Sequence, residues 1–256
     1  MDYINSLENS TIKKIKKLKI KKYREEEQLF LAEGRKFLDF DFQPHMLIFH
    51  EKYEITVEVE QKIGKFQCRK IIVSDKVFAQ LTSQENSQGV IIVYPMVKGD
   101  IENLRNNIVV LDKIGDPGNL GTIIRVADAA GFKDILLTKG SVDCWNEKVV
   151  RSSMGSILNM NIAYLETDEL LTLLKERGYK IEVTALEEDS IEYTKMSLEE
   201  KNAIVFGSEG DGVSSEFLRR CDEKLIIPIY GTAESLNVAM ACGIILYKVK
   251  EILGDR

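Results

Sequence analysis

The chain has 256 residues, 44% of them hydrophobic and 30% charged, with a formal net charge of −6. That composition supports one large or two small globular domains and excludes disordered, collagenous and fibrous classes. The longest apolar run, 239–247, falls well short of the roughly 20 residues that span a bilayer, and MDYINSLENS lacks the basic-then-apolar order of a signal peptide, so a cytoplasmic, non-membrane protein is expected.

The first element, residues 11–24 (TIKKIKKLKIKKYR), holds 8 basic residues and no acid. Ile12, Ile15, Leu18 and Tyr23 fall on one helical stripe with lysines around it. Two readings stand side by side. One is a solvated helix face. The other is a phosphate-binding surface built from Lys13, Lys14, Lys16, Lys17, Lys21, Lys22 and Arg24, acting through counterion release. Membrane-surface binding is the lesser rival, because the stripe is narrow and lacks Trp and Phe.

The pattern continues with a strand at 29–32, a helix at 33–40, a strand at 46–50 and a weaker helical stretch at 57–63. A strand at 68–73, a helix at 75–81 opened by Ser74 and a strand at 90–94 complete a small α/β unit. Residues 95–107 mix Pro, Gly, Asn and charge and read as a linker. The expected organisation is thus an N-terminal domain over 1–98, a linker over 99–106 and a second domain over 107–256. Residues 1–105 carry 18 basic and 16 acidic side chains, net +2, and the remainder 17 and 25, net −8. The basic block therefore sits in the half whose charge suits nucleic acid.

Beyond residue 107, apolar runs at 108–111, 135–138, 181–185, 203–206 and 225–229 read as strands buried on both faces. Helical patterns separate them, one over 167–177 ending at Gly178 and a long final one over 235–253. This alternation predicts an α/β fold with a mainly parallel sheet. Cys68, Cys144, Cys221 and Cys242 form no CxxC pair, and His45 and His50 sit in no ligand motif, so neither a disulfide framework nor a metal site is expected.

Ligands bind outside the carboxyl ends of parallel strands, and three segments fall there. In DKIGDPGNLGTIIR (112–125), a turn at 116–118 opens a helix with Asn119 as its cap. The bland reading leaves Arg125 unexplained, six residues into the helix. In FGSEGDGVS (206–214), three glycines follow a buried strand, with Glu209 among them. The spacing is not that of a dinucleotide site, and a plain turn is the alternative. In IIPIYGTAESLNVAM (226–240), Ser235 either caps the last helix or, with Leu236 and Asn237, presents polar groups and an apolar wall at a strand-to-helix junction.

Together NLGxxxR (119–125), GSEGxG (207–212) and IP…SLNV (227–238) resemble the three motifs of the SpoU/TrmH family of RNA ribose 2′-O-methyltransferases. NEKVVRSSMGS (146–156) is similar to the family's connecting segment, and the basic N-terminal part to its small RNA-binding domain. One departure is at 158–161, where relatives often carry a proline. The resemblance implies a deep C-terminal trefoil knot, a homodimer with the site near its interface, and S-adenosylmethionine bound without metal. It assigns Gly207, Ile227 and Leu236, with Thr184 more weakly, to the cofactor cleft. Arg125 is implied as the central catalytic residue, oriented by Asn119, with Glu209, Ser235 and Asn237 in interchangeable polar roles. The implied substrate is RNA, with 23S ribosomal RNA preferred because of the extra N-terminal domain. The alternatives are a tRNA ribose methyltransferase and a non-catalytic RNA-binding assembly protein on the same scaffold.

Overall fold

The elements of the computed structural model, which describes residues 1–208 and 210–254, begin with β1 (Asp2–Ile4), α1 (Ser10–Lys17), α2 (Lys21–Glu27) and β2 (Leu29–Glu33). There follow β3 (Met46–His50), α3 (Val57–Gly64), β4 (Arg69–Val73), α4 (Asp75–Leu81), β5 (Val90–Pro95), β6 (Asn107–Asp112) and α5 (Pro117–Ala129). Next come β7 (Asp134–Thr138), α6 (Glu147–Ser152), β8 (Asn161–Leu165), α7 (Thr167–Glu176), β9 (Lys180–Thr184) and β10 (Ile191–Glu192). The chain closes with β11 (Asn202–Gly207), α8 (Ser215–Arg220), β12 (Glu223–Ile226) and α9 (Val238–Leu253). It forms two compact units, Met1–Val97 with Asp143–Leu158, and Lys98–Val142 with the chain from Asn159 onward.

The first unit is built on a five-stranded sheet, β1-β4-β3-β5-β2, in which β1, β4 and β3 run parallel and β5 pairs antiparallel with β3 and β2. Side-chain alternation sends Ile48, Ile71, Ile91 and Val93 to the face covered by α1 and α4. The stripe read from the sequence packs there, with Ile12, Ile15 and Leu18 all buried. The basic segment is nevertheless two helices rather than one. The carbonyls left open after α1 find a donor in Arg24, whose Nη1 bonds Leu18 O at 2.9 Å and Lys19 O at 3.0 Å, so the chain can turn before α2. Residues 33–40 likewise form only a 3-10 turn over Arg35–Asp39, because Gly34 at φ +128°, ψ 152° swings the chain out of helical geometry.

Asp143–Leu158 packs within this first unit. Asp143 accepts from Arg24 Nη2 at 2.6 Å, and the Trp145 ring lies 4.5 Å from that of Phe30. Gly155 fits because it has no side chain: a Cβ there would lie 2.0 Å from Phe40 Cε2.

The second unit carries a seven-stranded sheet, β10-β12-β9-β11-β6-β7-β8, with every pairing parallel. Strands β6, β7 and β8 step outward in one direction, and the chain then returns to lay β9, β11 and β12 on the other side of β6. That reversal creates a crevice at the carboxyl ends of β6 and β11. One sheet face buries Ile108, Val110, Val183 and Val205 against Leu170, Leu171 and Leu174 of α7 and Phe217 of α8. The alternating residues Val109, Leu111, Ile204 and Phe206 point the other way, toward the side-by-side pair α5 and α9, which bury Ile123, Ile124, Ile245 and Leu246. No described helix is long and apolar enough to cross a membrane.

In the middle of β9, Glu182 is fully buried, with Lys180 Nζ 3.4 Å from its carboxylate and 2.8 Å from that of Glu223. Burial outweighs the lysine and pushes the Glu182 carboxyl up to about 7. The folded protein thus holds this proton more tightly than the unfolded chain, so the group's contribution to stability is greatest at acid pH and is lost as pH rises toward 7. Glu182→Gln is expected to raise the urea midpoint at pH 8 and change it little at pH 4. Equal midpoints for the two proteins at pH 8 would contradict the assignment.

Candidate active site

A cavity of about 440 Å³ opens at the carboxyl ends of β9, β11 and β12, within the range of roughly 300–1,000 Å³ typical of small-molecule sites. Thr184, Gly207, Ile227, Ser235 and Leu236, singled out from the sequence, all line it. Apolar walls come from Leu225, Ile229 and Val238, and carboxylates from Glu187, Asp211 and Glu234. None of the described lining residues is basic.

The glycine loop after β11 forms the floor. Ser208 and Gly212 exchange backbone hydrogen bonds of 3.1 and 3.0 Å, folding the loop back on its own strand. Gly207 permits this approach, since a Cβ would lie 2.1 Å from the Gly212 carbonyl carbon and 2.3 Å from Val213 N. Glu209, expected within this loop, lies outside the described residues.

Beside the loop, the carboxylate of Asp112 is fully buried and accepts from Thr138 Oγ1 at 2.9 Å and from Ser214 N at 2.8 Å. Thr138 Oγ1 in turn accepts from Lys113 N at 2.9 Å, holding Lys113 in a left-handed conformation (φ +52°) as the chain leaves β6 for α5. The sequence reading missed this network. Its available signal was an acid ending the otherwise apolar run of β6.

The α5 cap differs from expectation. Asp116, not Asn119, caps the helix, accepting from Asn119 N at 2.8 Å, and Pro117 occupies the first turn, where its fixed φ suits helix entry. The final helix starts at Val238, and Asn237 rather than Ser235 caps it, accepting from Ala239 N at 3.0 Å and Met240 N at 3.3 Å. The Asn237 amide also donates to Asn119 Oδ1 at 2.9 Å, which ties the amino ends of α5 and α9 together. Among the described residues no hydrogen bond joins Asn119 to Arg125. Six residues of helix set the two about 120° apart, and Arg125 is exposed, with no hydrogen bond or ion pair among the described residues. Neither Arg125, Asn119 nor Asn237 lines the cavity.

In the basic segment the structure separates residues that the sequence grouped. Arg24 is buried and committed to Asp143 and two carbonyls, so it presents nothing to a phosphate. The lysines are exposed but partnered: Lys13 with Glu8, Lys14 with Glu27, Lys21 with Glu25 and Lys22 with Glu26. Lys16 donates to Gln80, and Lys17 lies over the Tyr23 ring. Among the described residues no cluster of three or more His, Cys, Asp or Glu is arranged to hold a metal.

A parallel α/β unit with this glycine-loop cavity and these three segments is the architecture of a methylase family, and residues 106–247 match the SpoU rRNA methylase family while residues 9–92 match an MRM3-like substrate-binding domain. The chain belongs to the SpoU rRNA methylase family. It is 33% identical to the 23S rRNA (guanosine(2553)-2′-O)-methyltransferase RlmP of Bacillus subtilis, across 98% of this chain and 100% of that protein. A tRNA (guanosine(18)-2′-O)-methyltransferase of Thermus thermophilus is also 33% identical, but across only 56% of this chain and 73% of its own length. Among solved structures, the AdoMet-bound rRNA methyltransferase of Sinorhizobium meliloti superposes with a TM-score of 0.88 at 30% identity, covering 99% of each chain.

The contacts around Gly207 give a direct test of the cavity floor. Gly207→Ala forces backbone out of place and is expected to cost about 1–3 kcal/mol in urea denaturation, the range for overpacking. It should also abolish measurable S-adenosylmethionine binding by the folded protein. Wild-type stability together with wild-type binding would mean that the loop does not lie against the strand as described.

Proposed function

We propose that the protein transfers a methyl group from S-adenosylmethionine to a ribose 2′-hydroxyl of 23S ribosomal RNA. The observation that carries this reading is the convergence of the glycine loop and the 227–238 segment on one cavity of cofactor size, at the carboxyl ends of the parallel strands, where such ligands bind. The ribosomal substrate is supported by the extent of the likeness: the relative named for 23S rRNA matches throughout, whereas the tRNA relative matches about half of the chain.

The donor supplies a methyl activated by its sulfonium. The cavity suits it, with apolar walls for a purine, a glycine floor exposing backbone groups, and carboxylates facing a ligand that is cationic overall. Gly207, Ile227 and Leu236 would hold it, with Thr184 at the rim. The Thr184 hydroxyl already donates to Val205 O at 3.1 Å, which restricts it to accepting from a ligand.

Arg125 is exposed and ready to take an RNA phosphate. A guanidinium does not lose its proton at neutral pH, so its role is to grip the phosphate beside the target ribose and stabilise the developing alkoxide, with that phosphate accepting the 2′-hydroxyl proton. The bond from Asn237 to Asn119 fixes α5 against α9 and thereby the helix that carries Arg125. Ser235, at the cavity wall, is available to the donor or the ribose. No metal takes part in this scheme. The C-terminal segment is proposed to thread as a trefoil knot, and the protein to act in the cytoplasm.

Because Arg125 is not among the residues that line the cavity of its own chain, the reading includes a homodimer. Along α9, Met240, Ile244 and Tyr247 recur at i, i+4 and i+7, and are 62%, 37% and 55% exposed. Such a stripe on a soluble helix signals a covered face. Tyr247→Glu is expected to convert a dimer to monomers in sedimentation velocity; a wild-type monomer would contradict this part of the scheme.

Methyl transfer from labelled donor to 23S rRNA tests the activity. Arg125→Ala should lower turnover at least about a hundredfold, the scale of losing a transition-state donor. Arg125→Lys should fail too, since an ammonium lacks the planar fork, while donor affinity survives in both. Near-normal turnover in Arg125→Ala would refute the role. Labelling of tRNA alone would favour the tRNA reading, and binding of RNA without any transfer the assembly-factor reading.

A further inference from the structure

We infer that Asp112 is a positioning residue that clamps both ends of the cofactor loop, an assignment that rests on the proposed function of this cavity. In the β6–β11 pairing, Asp112 lies directly opposite Gly207, where the loop begins. Its side chain reaches Ser214 N at 2.8 Å, where the loop ends and α8 starts. One residue thus fixes both points between which the cavity floor is strung, its backbone at one end and its carboxylate at the other. Gly212 and Val213, which line the cavity, immediately precede the clamped amide.

The second carboxylate oxygen links the clamp to the turn by which the chain leaves β6 for α5. It accepts from Thr138 Oγ1 at 2.9 Å, and that hydroxyl oxygen accepts from Lys113 N. The donor pair keeps the buried carboxylate oriented, so the oxygen facing Ser214 does not rotate away. Hydrogen bonds to a buried charged acceptor are among the stronger ones, and their loss leaves the remaining partners unsatisfied. Among the described residues the Ser214 hydroxyl has no hydrogen-bond partner and gives α8 no side-chain cap, and the Ser214 carbonyl is taken up by Phe217 N and Leu218 N within α8, so the Ser214 N–H to Asp112 bond is what ties this point of the chain to β6.

The side-chain chemistry separates a clamp from a generic buried acid. In Asp112→Asn the amide oxygen can still accept from Ser214 N, while its NH₂ donates to Thr138 Oγ1. Asp112→Ala removes both bonds. Thr138→Val removes one and leaves the carboxylate in place.

Titration calorimetry of the full-length protein with S-adenosylmethionine, on variants whose folding is checked by circular dichroism, tests the clamp. Asp112→Ala is expected to raise the dissociation constant about thirtyfold, the equivalent of losing one charge-assisted bond. Asp112→Asn should restore it to within about threefold, consistent with its retained Ser214 bond. Thr138→Val carries the test if Asp112→Ala does not fold. It should raise the KM for the donor about fivefold, the scale of one neutral hydrogen bond, with little change in kcat. Folded Asp112→Ala with wild-type affinity, Asp112→Asn as weak as Asp112→Ala, or Thr138→Val with an unchanged KM would each overturn the clamp and leave the proposed function standing. Failure of the wild-type protein to bind the donor would overturn both.

Discussion

The in-register parallel pairing of β6 with β11 is the constraint on which the site depends. It runs from Asn107 opposite Asn202 to Asp112 opposite Gly207, and it brings two segments nearly a hundred residues apart to one sheet end. Both strands are buried along most of their length, so a slip of one residue would turn every side chain to the wrong face. With the register set, the glycine loop has one place to fold and α5 one place to begin. The side-by-side packing of α5 and α9 then follows, joined at their amino ends by Asn119 and Asn237.

Much of this architecture is legible in the sequence because buried strands and amphipathic helices leave strong local marks. The strand at 46–50 and the helix at 75–81 coincide with β3 and α4. The parallel sheet follows from apolar runs alternating with helical patterns. Three strands escape notice for physical reasons. β1 and β10 are 3 and 2 residues long, too short for any period, and β8 interrupts its apolar residues with half-buried Asn161 and Tyr164. The helix starts differ from the sequence pattern where two cap-forming residues compete: Asp116 with Asn119, and Asn237 with Ser235. Proline at 117 decides the first case, and the fold of the 227–236 segment decides the second.

The site was legible in part. Every cofactor-cleft residue named from the motifs lines the cavity, because glycines and strand ends carry local signals. What local sequence cannot convey is partnership across the chain. Arg24 looks like one cation among eight, yet its partner Asp143 lies 119 residues away and turns it into a buried strut. The lysines around it are the reverse case, exposed as expected, but four of them are held by carboxylates that the composition of 11–24 did not include. Asp112 went unremarked because nothing near it in sequence reveals that Ser214, 102 residues on, donates to it.

Division of labour between the two units follows the same logic. The first buries its lysine-bearing helices by an apolar stripe and presents charge outward, while the second lines a cofactor-sized cavity with glycines, apolar side chains and three carboxylates, and with no basic residue among the described ones. Whether that combination methylates ribosomal RNA is answered most directly by mapping ribose 2′-O-methylation across total RNA from cells with and without the gene. The account predicts that one 23S rRNA position loses its methyl group in the deletion strain and regains it on complementation with the wild-type chain but not with Arg125→Ala. An unchanged methylation map in every rRNA and tRNA would contradict it.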